Sequence, residues 1–345
     1  MKQRLFKQIE TSVKASTVEK IIDAICSTQP TTRAEIAERS GVGLTTVYRV
    51  TQALIDSGLV SDRVKTATDG MRKRPCGHLS VTRRLCTAVI DLSSPVYSID
   101  LICGGERYFH STHKYDSSVC FEDNLFSFLS RAFSKLRLKE NYALQICVIH
   151  ADYPAPSTAS QTVLPTVFDK SIIDNAIYDV CKRIPQLYVS KSQAVASAVK
   201  YNVVGKADGF GGASYLHIGS VLFGFSVLPD GHVLSCKPAE LIFDNNLTVG
   251  EIAQRCITKN DFKLLLEKTV NYINSTFGAQ ILIIESDSFE IDSLCIKELS
   301  RKYTTLHLPM PIVYPIHSGE EKPSVLTLAA ARKSEAEFIK SHVLK

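Results

Sequence analysis

The chain has 345 residues, of which 45% are hydrophobic and 22% are charged, so it can bury a core and is not a disordered chain. This length predicts two or three domains. No apolar run approaches the roughly 18 residues that span a bilayer, and the first residues lack the apolar segment of a secretion signal. We therefore expect a cytoplasmic protein without membrane contact. Ten dispersed cysteines without a C-x-x-C pair fit a reducing compartment.

The basic residues are concentrated at the N-terminal end of the chain. Residues 1–84 hold 15 Lys and Arg against 8 Asp and Glu, whereas residues 85–345 hold 25 against 27. A basic segment on a near-neutral body favours a polyanionic partner, although a solvated basic surface would have the same composition. The local pattern of the segment has to decide between the two.

The first helix of the basic segment is predicted from Ser16, because Ser16-Thr17-Val18-Glu19 matches a capping box. Pro30 lies beyond its end. Four apolar residues of this stretch recur at helical spacing and predict one buried face: Val18, Ile21, Ile22 and Ile25.

Two further helices follow around a glycine turn. Thr32-Arg33-Ala34-Glu35 is a second capping box and begins a short helix through Arg39. Gly41 then lies where a sharp turn favours a residue that tolerates positive φ. The third helix is predicted from about Leu44 to Ser57.

The segment after the third helix predicts a hairpin. Leu59-Val60 begins one strand, Asp69-Gly70 marks the tip, and Leu79-Ser80-Val81 forms the returning strand. Three consecutive basic residues, Arg72, Lys73 and Arg74, lie on this hairpin. Helices, turn and hairpin together predict a winged helix-turn-helix domain over residues 1–84.

The motifs of this segment resemble the DNA-binding heads of bacterial repressors. The matching stretches are residues 33–42 (RAEIAERSGV) and 45–49 (TTVYR), and the Arg-Lys-Arg-Pro run is similar to the basic wing of the ROK family of repressors, open reading frames and sugar kinases. In such domains the third helix reads the major groove, and the wing contacts the backbone. The expected partner is therefore double-stranded operator DNA, contacted by Arg33, Leu44, Thr45, Thr46, Tyr48, Arg49, Arg72, Lys73 and Arg74.

The pattern of residues 85–345, the body, predicts an α/β fold in which one order of strands and helices occurs twice. Strands at 87–92, 97–103 and 107–111, a helix at 121–136 and a strand at 143–149 make the first copy. The same order returns as strands at 213–218, 221–228 and 233–236, a helix at 261–277 and a strand at 280–284. This repeat predicts a two-lobed body like that of actin and sugar kinases, with lobe one at about 85–190 plus the C-terminal helix, and lobe two at about 200–320.

The resemblance to the ROK family extends along the body, but the motifs of catalysis are altered. The phosphate loop D-x-G-G-T is matched by Asp91-Leu92-Ser93-Ser94-Pro95, which lacks both glycines. Ser192 stands where the family has the catalytic Asp, and a neutral hydroxyl is a poor base near pH 7. In the second phosphate segment, Val221 and Phe223 replace glycines.

The family's zinc motif is altered as well. Phe243 matches its metal-binding His, and the cysteine block that should follow is missing apart from Cys256. Cys103, His110, His113 and Cys120 have no known ligand spacing, so we expect no metal and no cofactor. Glu240 persists as the residue that would bind a sugar hydroxyl, or else as a solvated carboxylate.

The sequence thus predicts a DNA-binding transcriptional regulator, a repressor by its resemblance, that has no enzyme activity. Its ROK-like body would serve for dimerisation or tetramerisation, and the resemblance leaves open a sugar or sugar-phosphate effector. Two alternatives stay open: a sugar kinase or sugar-binding ROK protein with an appended helix-turn-helix, and a scaffold whose N-terminal domain binds protein.

Overall fold

The computed structural model describes residues 13–64, 77–94, 96–136, 142–152, 169–203, 212–218, 222–236, 242–244, 247–248, 259–278, 280–286, 293–305, 311–317 and 322–343. The chain divides into two compact units. The first comprises residues 1–150, 162–189 and 327–345, and the second comprises residues 151–161 and 190–326.

The first unit begins with a bundle of three helices and a two-stranded hairpin. The elements are α1 (Ala15–Ser27), α2 (Arg33–Ser40), α3 (Leu44–Asp56), β1 (Val60–Val64) and β2 (Gly77–Val81). The predicted inner face of α1 is buried completely, and Val47, Val50 and Leu54 of α3 are buried as well. The amphipathic patterns of the basic segment therefore make one small core, as the sequence predicts.

The predicted start of α1 is wrong. The helix begins at Ala15 with Lys14 as its N-cap, and no side chain caps it. Ser16 is thus the second helical residue, and the Lys14 carbonyl accepts from the amides of Thr17 and Val18 at 2.9 and 3.1 Å. The Ser16-to-Glu19 spacing fits a capping box, but the backbone is already helical at Ala15, before Ser16.

The capping box of α2 is confirmed. The Thr32 hydroxyl accepts from the Glu35 amide at 3.3 Å, and the Glu35 carboxylate accepts from the Thr32 amide at 2.8 Å. Thr31 immediately before it exchanges two backbone hydrogen bonds with Leu79 of β2, at 2.9 and 2.7 Å. This pairing holds Thr31 in an extended conformation and fixes the residue at which α2 begins.

Lobe one follows as a five-stranded sheet with the order β5-β4-β3-β6-β7. Its strands are β3 (Leu85–Asp91), β4 (Val96–Cys103), β5 (Glu106–Lys114), β6 (Ala143–His150) and β7 (Leu187–Ser190), and its helices are α4 (Phe121–Lys135) and α5 (Lys170–Cys181). The first three strands pair antiparallel, and β6 pairs parallel to β3. One sheet face packs on Leu125, Phe128 and Leu129 of α4 and on Ile173 and Ile177 of α5.

The second unit repeats this topology. Its sheet has the order β10-β9-β8-β13-β14, with three antiparallel strands followed by a strand parallel to the first. The duplication that the sequence pattern predicts is confirmed at the level of strand order. Its elements are α6 (Lys191–Lys200), β8 (Ala213–Ile218), β9 (Leu222–Val227), β10 (Val233–Cys236), β11 (Ile242–Asp244), β12 (Leu247–Thr248), α7 (Lys259–Phe277), β13 (Ile281–Ser286), α8 (Ser293–Thr305) and β14 (Ile312–His317).

The chain ends in a long helix, α9 (Val325–Val343). Within the described ranges, none of the helices combines the length and the hydropathy that crossing a bilayer requires. Cys86 and Cys103 form a disulfide between the paired strands β3 and β4, with their Cα atoms 4.3 Å apart. The dispersed spacing of the cysteines does not predict this pair.

Candidate nucleic-acid interface

The turn between α2 and α3 presents the N-terminal end of α3 to solvent. Gly41 adopts φ +63°, where a side chain would strain the backbone, and Gly43 caps α3 without a side-chain bond. Leu44 and Tyr48 are 56% and 57% exposed although both are large and apolar. Their exposure next to a basic residue is typical of a surface that a partner covers.

The residues predicted to read DNA lie together on this end of α3. Leu44, Thr45, Tyr48 and Arg49 are exposed, and Thr46 is half-buried. They occupy the face opposite Val47, Val50 and Leu54, which the core covers. The arrangement provides one arginine fork, hydroxyl groups and methyl groups, which is the chemistry that distinguishes base edges in the major groove.

Arg33 makes three contacts inside the domain. Its Nε donates to the Thr51 hydroxyl at 3.1 Å, its Nη1 pairs with Asp62 of β1 at 3.1 Å, and its guanidinium lies 5.0 Å from the centre of the Tyr48 ring. The side chain is only 19% exposed. Arg33 therefore links α2, α3 and the first wing strand, and the plane of its guanidinium supports the exposed ring of Tyr48.

The wing is anchored to the helices by backbone pairing. β1 and β2 pair antiparallel from Val60–Val81 to Val64–Gly77, and the Thr31–Leu79 bridge adds a third short segment. This pairing confirms the predicted hairpin strands. The predicted wing contacts Arg72, Lys73 and Arg74, and the tip at Asp69-Gly70, lie outside the described residues.

The stretch that matches the first phosphate loop forms a local turn. The Asp91 carboxylate accepts from the Ser93 amide at 2.8 Å and from the Ser93 hydroxyl at 2.5 Å. Asp91 is thus engaged by the residue that stands where the family has a glycine. Pro95, the last residue of the stretch, lies outside the described residues.

Ser192, at the position that matches the family's catalytic base, contacts the carboxylate of Asp152, which the sequence pattern does not single out. The amide of Ser192 donates to both oxygens of Asp152, at 3.3 and 3.0 Å, and its hydroxyl also donates to Asp152. The N-cap of α6 is Ser190, which forms a capping box with Gln193. Asp152 follows β6 in a stretch without periodicity, so only the folded chain shows that it meets Ser192.

Aromatic side chains occupy the matching part of the second phosphate segment. The ring of Phe223 stacks on His217 with centroids 5.0 Å apart, and it lies 5.9 Å from the ring of Tyr215. The Lys191 ammonium lies 4.0 Å from the centre of the Phe223 ring. Phe223 therefore takes up space that a glycine would leave open. Val221 and Glu240, the candidate for contact with a sugar hydroxyl, lie outside the described residues, as does the side chain of Phe243.

At least three of the four residues without ligand spacing have other partners, since His113 Nδ1 lies 3.0 Å from Arg131 Nη2. Cys103 forms the disulfide with Cys86. His110 Nδ1 lies 2.8 Å from the carboxylate of Asp100, a buried residue that also pairs with Arg107 at 2.7 Å. In the part of the chain that the structure describes, no cluster of three or more His, Cys, Asp or Glu has the geometry of a metal site.

Comparison with known proteins finds a family model for the N-terminal helices and solved structures that share the fold. Residues 20–63 match the model of the IclR helix-turn-helix domain. A search of curated sequences finds no match. Among solved structures, a ROK family transcriptional regulator, a homologue of the E. coli MLC protein, matches with a TM-score of 0.56 and 12% identity over 95% of this chain and 98% of that one.

Two solved ROK kinases match a smaller share of the chain. An inorganic polyphosphate/ATP-glucomannokinase from Arthrobacter sp. strain KM is 11% identical over 73% of this chain and 99% of its own, with a TM-score of 0.48. A ROK family glucokinase from Streptomyces griseus, solved with glucose and AMPPNP, is 12% identical over 72% and 99%, with a TM-score of 0.46. The chain thus joins a helix-turn-helix domain of the IclR type to a body that has the fold of a solved ROK family transcriptional regulator.

Proposed function

We propose that this protein represses transcription by binding a specific operator as a homodimer or homotetramer. The observation that carries the proposal is the solvent-exposed face of α3, where Leu44, Thr45, Tyr48 and Arg49 lie beside one another at the end of a capped helix-turn-helix. Large apolar side chains gain nothing from exposure to water, and beside an arginine they match thymine methyl groups and guanine edges.

The residues of the interface have distinct proposed roles. Arg49 donates to guanine, Leu44 contacts a thymine methyl, and Thr45, Thr46 and Tyr48 complete the contact with bases and nearby phosphates. Arg33 supports Tyr48 from inside the domain, through the contacts described above. Arg72, Lys73 and Arg74 contribute phosphate contacts from the wing, which raise affinity on every sequence.

The body, in this proposal, assembles the oligomer and transfers no phosphoryl group. Ser93 occupies a glycine position and holds Asp91 in a turn, and Phe223 fills the matching part of lobe two. A sugar or sugar phosphate would be the effector, with Glu240 as a candidate contact. We place the domain boundary at residue 84, and the protein in the cytoplasm.

Selection of duplexes from a random pool by the full-length protein tests DNA binding. We expect enrichment of one sequence with two half-sites related by a two-fold axis, about one helical turn apart. Binding of the enriched duplex should exceed that of a scrambled duplex at equal salt. Failure to enrich any sequence, with equal retention of all duplexes, would show that the domain does not read bases.

A sugar kinase with an appended DNA-binding domain is the second candidate, and Asp152 is the observation that favours it. Its carboxylate lies against Ser192, so a general base would be available beside the position where the family has its catalytic Asp. An assay of phosphate transfer from ATP to hexoses and amino sugars separates the two functions. Turnover that disappears in Asp152→Asn would establish the kinase.

A further inference from the structure

The C-terminal helix α9 is joined to α1 of the DNA-binding domain by charged groups. Arg332 Nη1 donates to the carbonyl oxygens of Cys26 and Ser27, at 3.3 and 2.6 Å. These carbonyls belong to the last turn of α1, which has no intrahelical donors left for them. A cation at this end is also attracted by the partial negative charge of the helix terminus.

A second contact lies one turn earlier on α1. The Lys340 ammonium of α9 pairs with the Asp23 carboxylate at 2.9 Å, and it also lies 3.2 Å from Glu337 on its own helix. Two cationic residues of α9, eight positions apart, therefore hold the C-terminal half of α1 from one side. Because α1 forms a core with α3, they fix the base of the helix-turn-helix.

Gln29 extends this connection to the wing. Its side-chain oxygen accepts from the Val81 amide of β2 at 3.1 Å, and its side-chain nitrogen donates to Glu335 of α9 at 3.4 Å. One amide thus links the second wing strand to the C-terminal helix. The groups that face Glu335 are Arg332 on its own helix, Cys26 on α1 and Gln29 after it, with Asp23 and Lys340 one turn away.

Glu335 is a carboxyl group inside this cluster. It is 1% exposed, and its Oε1 has no hydrogen-bond partner among the described residues. Burial raises the pKa of Glu335 to about 7, against the opposing effects of the Arg332 charge and the Gln29 hydrogen bond. Burial likewise raises the pKa of the Cys26 thiol, which therefore stays protonated. Glu335 is then the group of this cluster that changes charge near neutral pH.

We infer that Arg332 and Glu335 are positioning residues for DNA binding, and that the charge of Glu335 sets how firmly Arg332 holds the end of α1. The inference rests on the proposed DNA-binding function. When Glu335 is protonated, it carries no charge that attracts Arg332, and the guanidinium donates to the carbonyls of α1. When Glu335 is ionised, it attracts the same guanidinium, so α1 and the helices packed on it are held less firmly.

The sign of the pH dependence follows from the raised pKa. A carboxyl that is more readily protonated in the folded state stabilises the fold below its ordinary pKa, and this contribution is lost as the pH rises through about 7. Operator affinity should therefore fall between pH 6 and pH 8. The variant Glu335→Gln keeps an acceptor for Gln29 but has no charge, so it should behave at both pH values as the native protein does at pH 6.

The test measures binding of the duplex enriched by the native full chain, at pH 6 and pH 8 and constant ionic strength. We expect the native protein to lose about three- to tenfold more affinity over this range than Glu335→Gln does. The control is Glu122→Gln, the same substitution at an exposed position in the first turn of α4, away from this cluster, and it should follow the native profile. Identical profiles for native protein and Glu335→Gln would overturn the role of Glu335.

Arg332 is tested by a pair of variants. Arg332→Met should weaken duplex binding several-fold at pH 6, and Arg332→Lys should restore part of it, because an ammonium can still donate to the carbonyls of α1. Unfolding by urea at both pH values checks that each variant folds, and Glu335→Gln should lose the native dependence of stability on pH. Native-like binding by folded Arg332→Met would overturn the inference. Absence of any enriched duplex for the native chain would instead contradict the proposed function.

Discussion

At the scale of single residues, the structure gives different surroundings to two arginines for which the sequence predicts the same role. Both Arg33 and Arg49 lie in the helix-turn-helix and were expected to contact DNA. Arg49 is exposed on α3, whereas the guanidinium of Arg33 is bound to Thr51 and Asp62 beneath Tyr48. Residue type and spacing predict which helix carries each arginine. They do not predict that Arg33 pairs with Asp62, because Asp62 lies on β1 and meets α2 only through the tertiary fold.

Arg49→Ala should weaken binding to the enriched duplex by about 1 to 3 kcal/mol and leave binding to a scrambled duplex nearly unchanged. The reason is that a bidentate contact with guanine exists on the correct sequence only. Titration of both duplexes at the same salt concentration measures the difference. An equal loss on both would show that Arg49 contacts phosphate and reads no base.

Asp62→Asn tests whether Arg33 acts through the protein. If Arg33 supports Tyr48 from its pairing with Asp62, the neutral amide should loosen that support and lower the ratio of specific to non-specific binding several-fold. If Arg33 instead contacts phosphate, releasing it from Asp62 should tighten binding on all sequences alike. Measurement of both duplexes, with Asp56→Asn on the exposed end of α3 as control, distinguishes the two.

At the scale of elements, two matching capping boxes in the sequence have different outcomes. The box at Thr32 forms and the one at Ser16 does not. Thr31, before the first, is held extended by its backbone pairing with Leu79, so α2 cannot begin earlier. No such pairing precedes Ser16 among the described residues, and the helix extends to Ala15. In this chain the capping motif marks the helix start where backbone pairing fixes the preceding residue.

Thr32→Ala should lower the free energy of unfolding by about 1 kcal/mol, the usual contribution of an N-cap. Ser16→Ala, its matched control, should be close to neutral because Ser16 caps nothing. The pKa of Glu35 is lowered because it accepts the Thr32 amide, so its share of this stability is present at neutral pH and is lost as the pH falls through that lowered pKa. Urea titrations at pH 7 measure both variants, and equal losses would contradict the assignment.

At the scale of the whole molecule, the order of elements was predictable and the long-range polar contacts were not. The succession of strands and helices along each lobe follows from apolar runs, turns and the repeat, because burial of an amphipathic face is a local property of the sequence. Asp152 and Ser192 lie 40 residues apart, and Arg332 lies 306 residues from Cys26. Neither contact can be predicted from a periodic pattern in the sequence, because each joins residues that only the tertiary fold brings together.

The body should neither bind Mg-ATP with micromolar affinity nor hold stoichiometric zinc. The glycines that bring backbone amides to phosphate are replaced at Ser93 and Phe223, and loss of the phosphate cradle removes more than a substituted base can restore. Calorimetry with Mg-ATP and metal analysis of protein never exposed to chelator are the measurements. Tight ATP binding, or one zinc per chain, would refute the matching of these motifs, whereas sugar binding alone would support an effector site.

The amide of Gln29 has a consequence for how this sequence can change over evolution. Its oxygen needs a donor from the wing and its nitrogen needs an acceptor from α9, so only a side chain with both groups and this length serves both contacts. Glu at position 29 would set two carboxylates against each other, and Lys would leave the Val81 amide without its acceptor. Substitutions at 29 and 335 should consequently be inherited together, and an alignment of homologous chains should show these two distant columns varying as a pair.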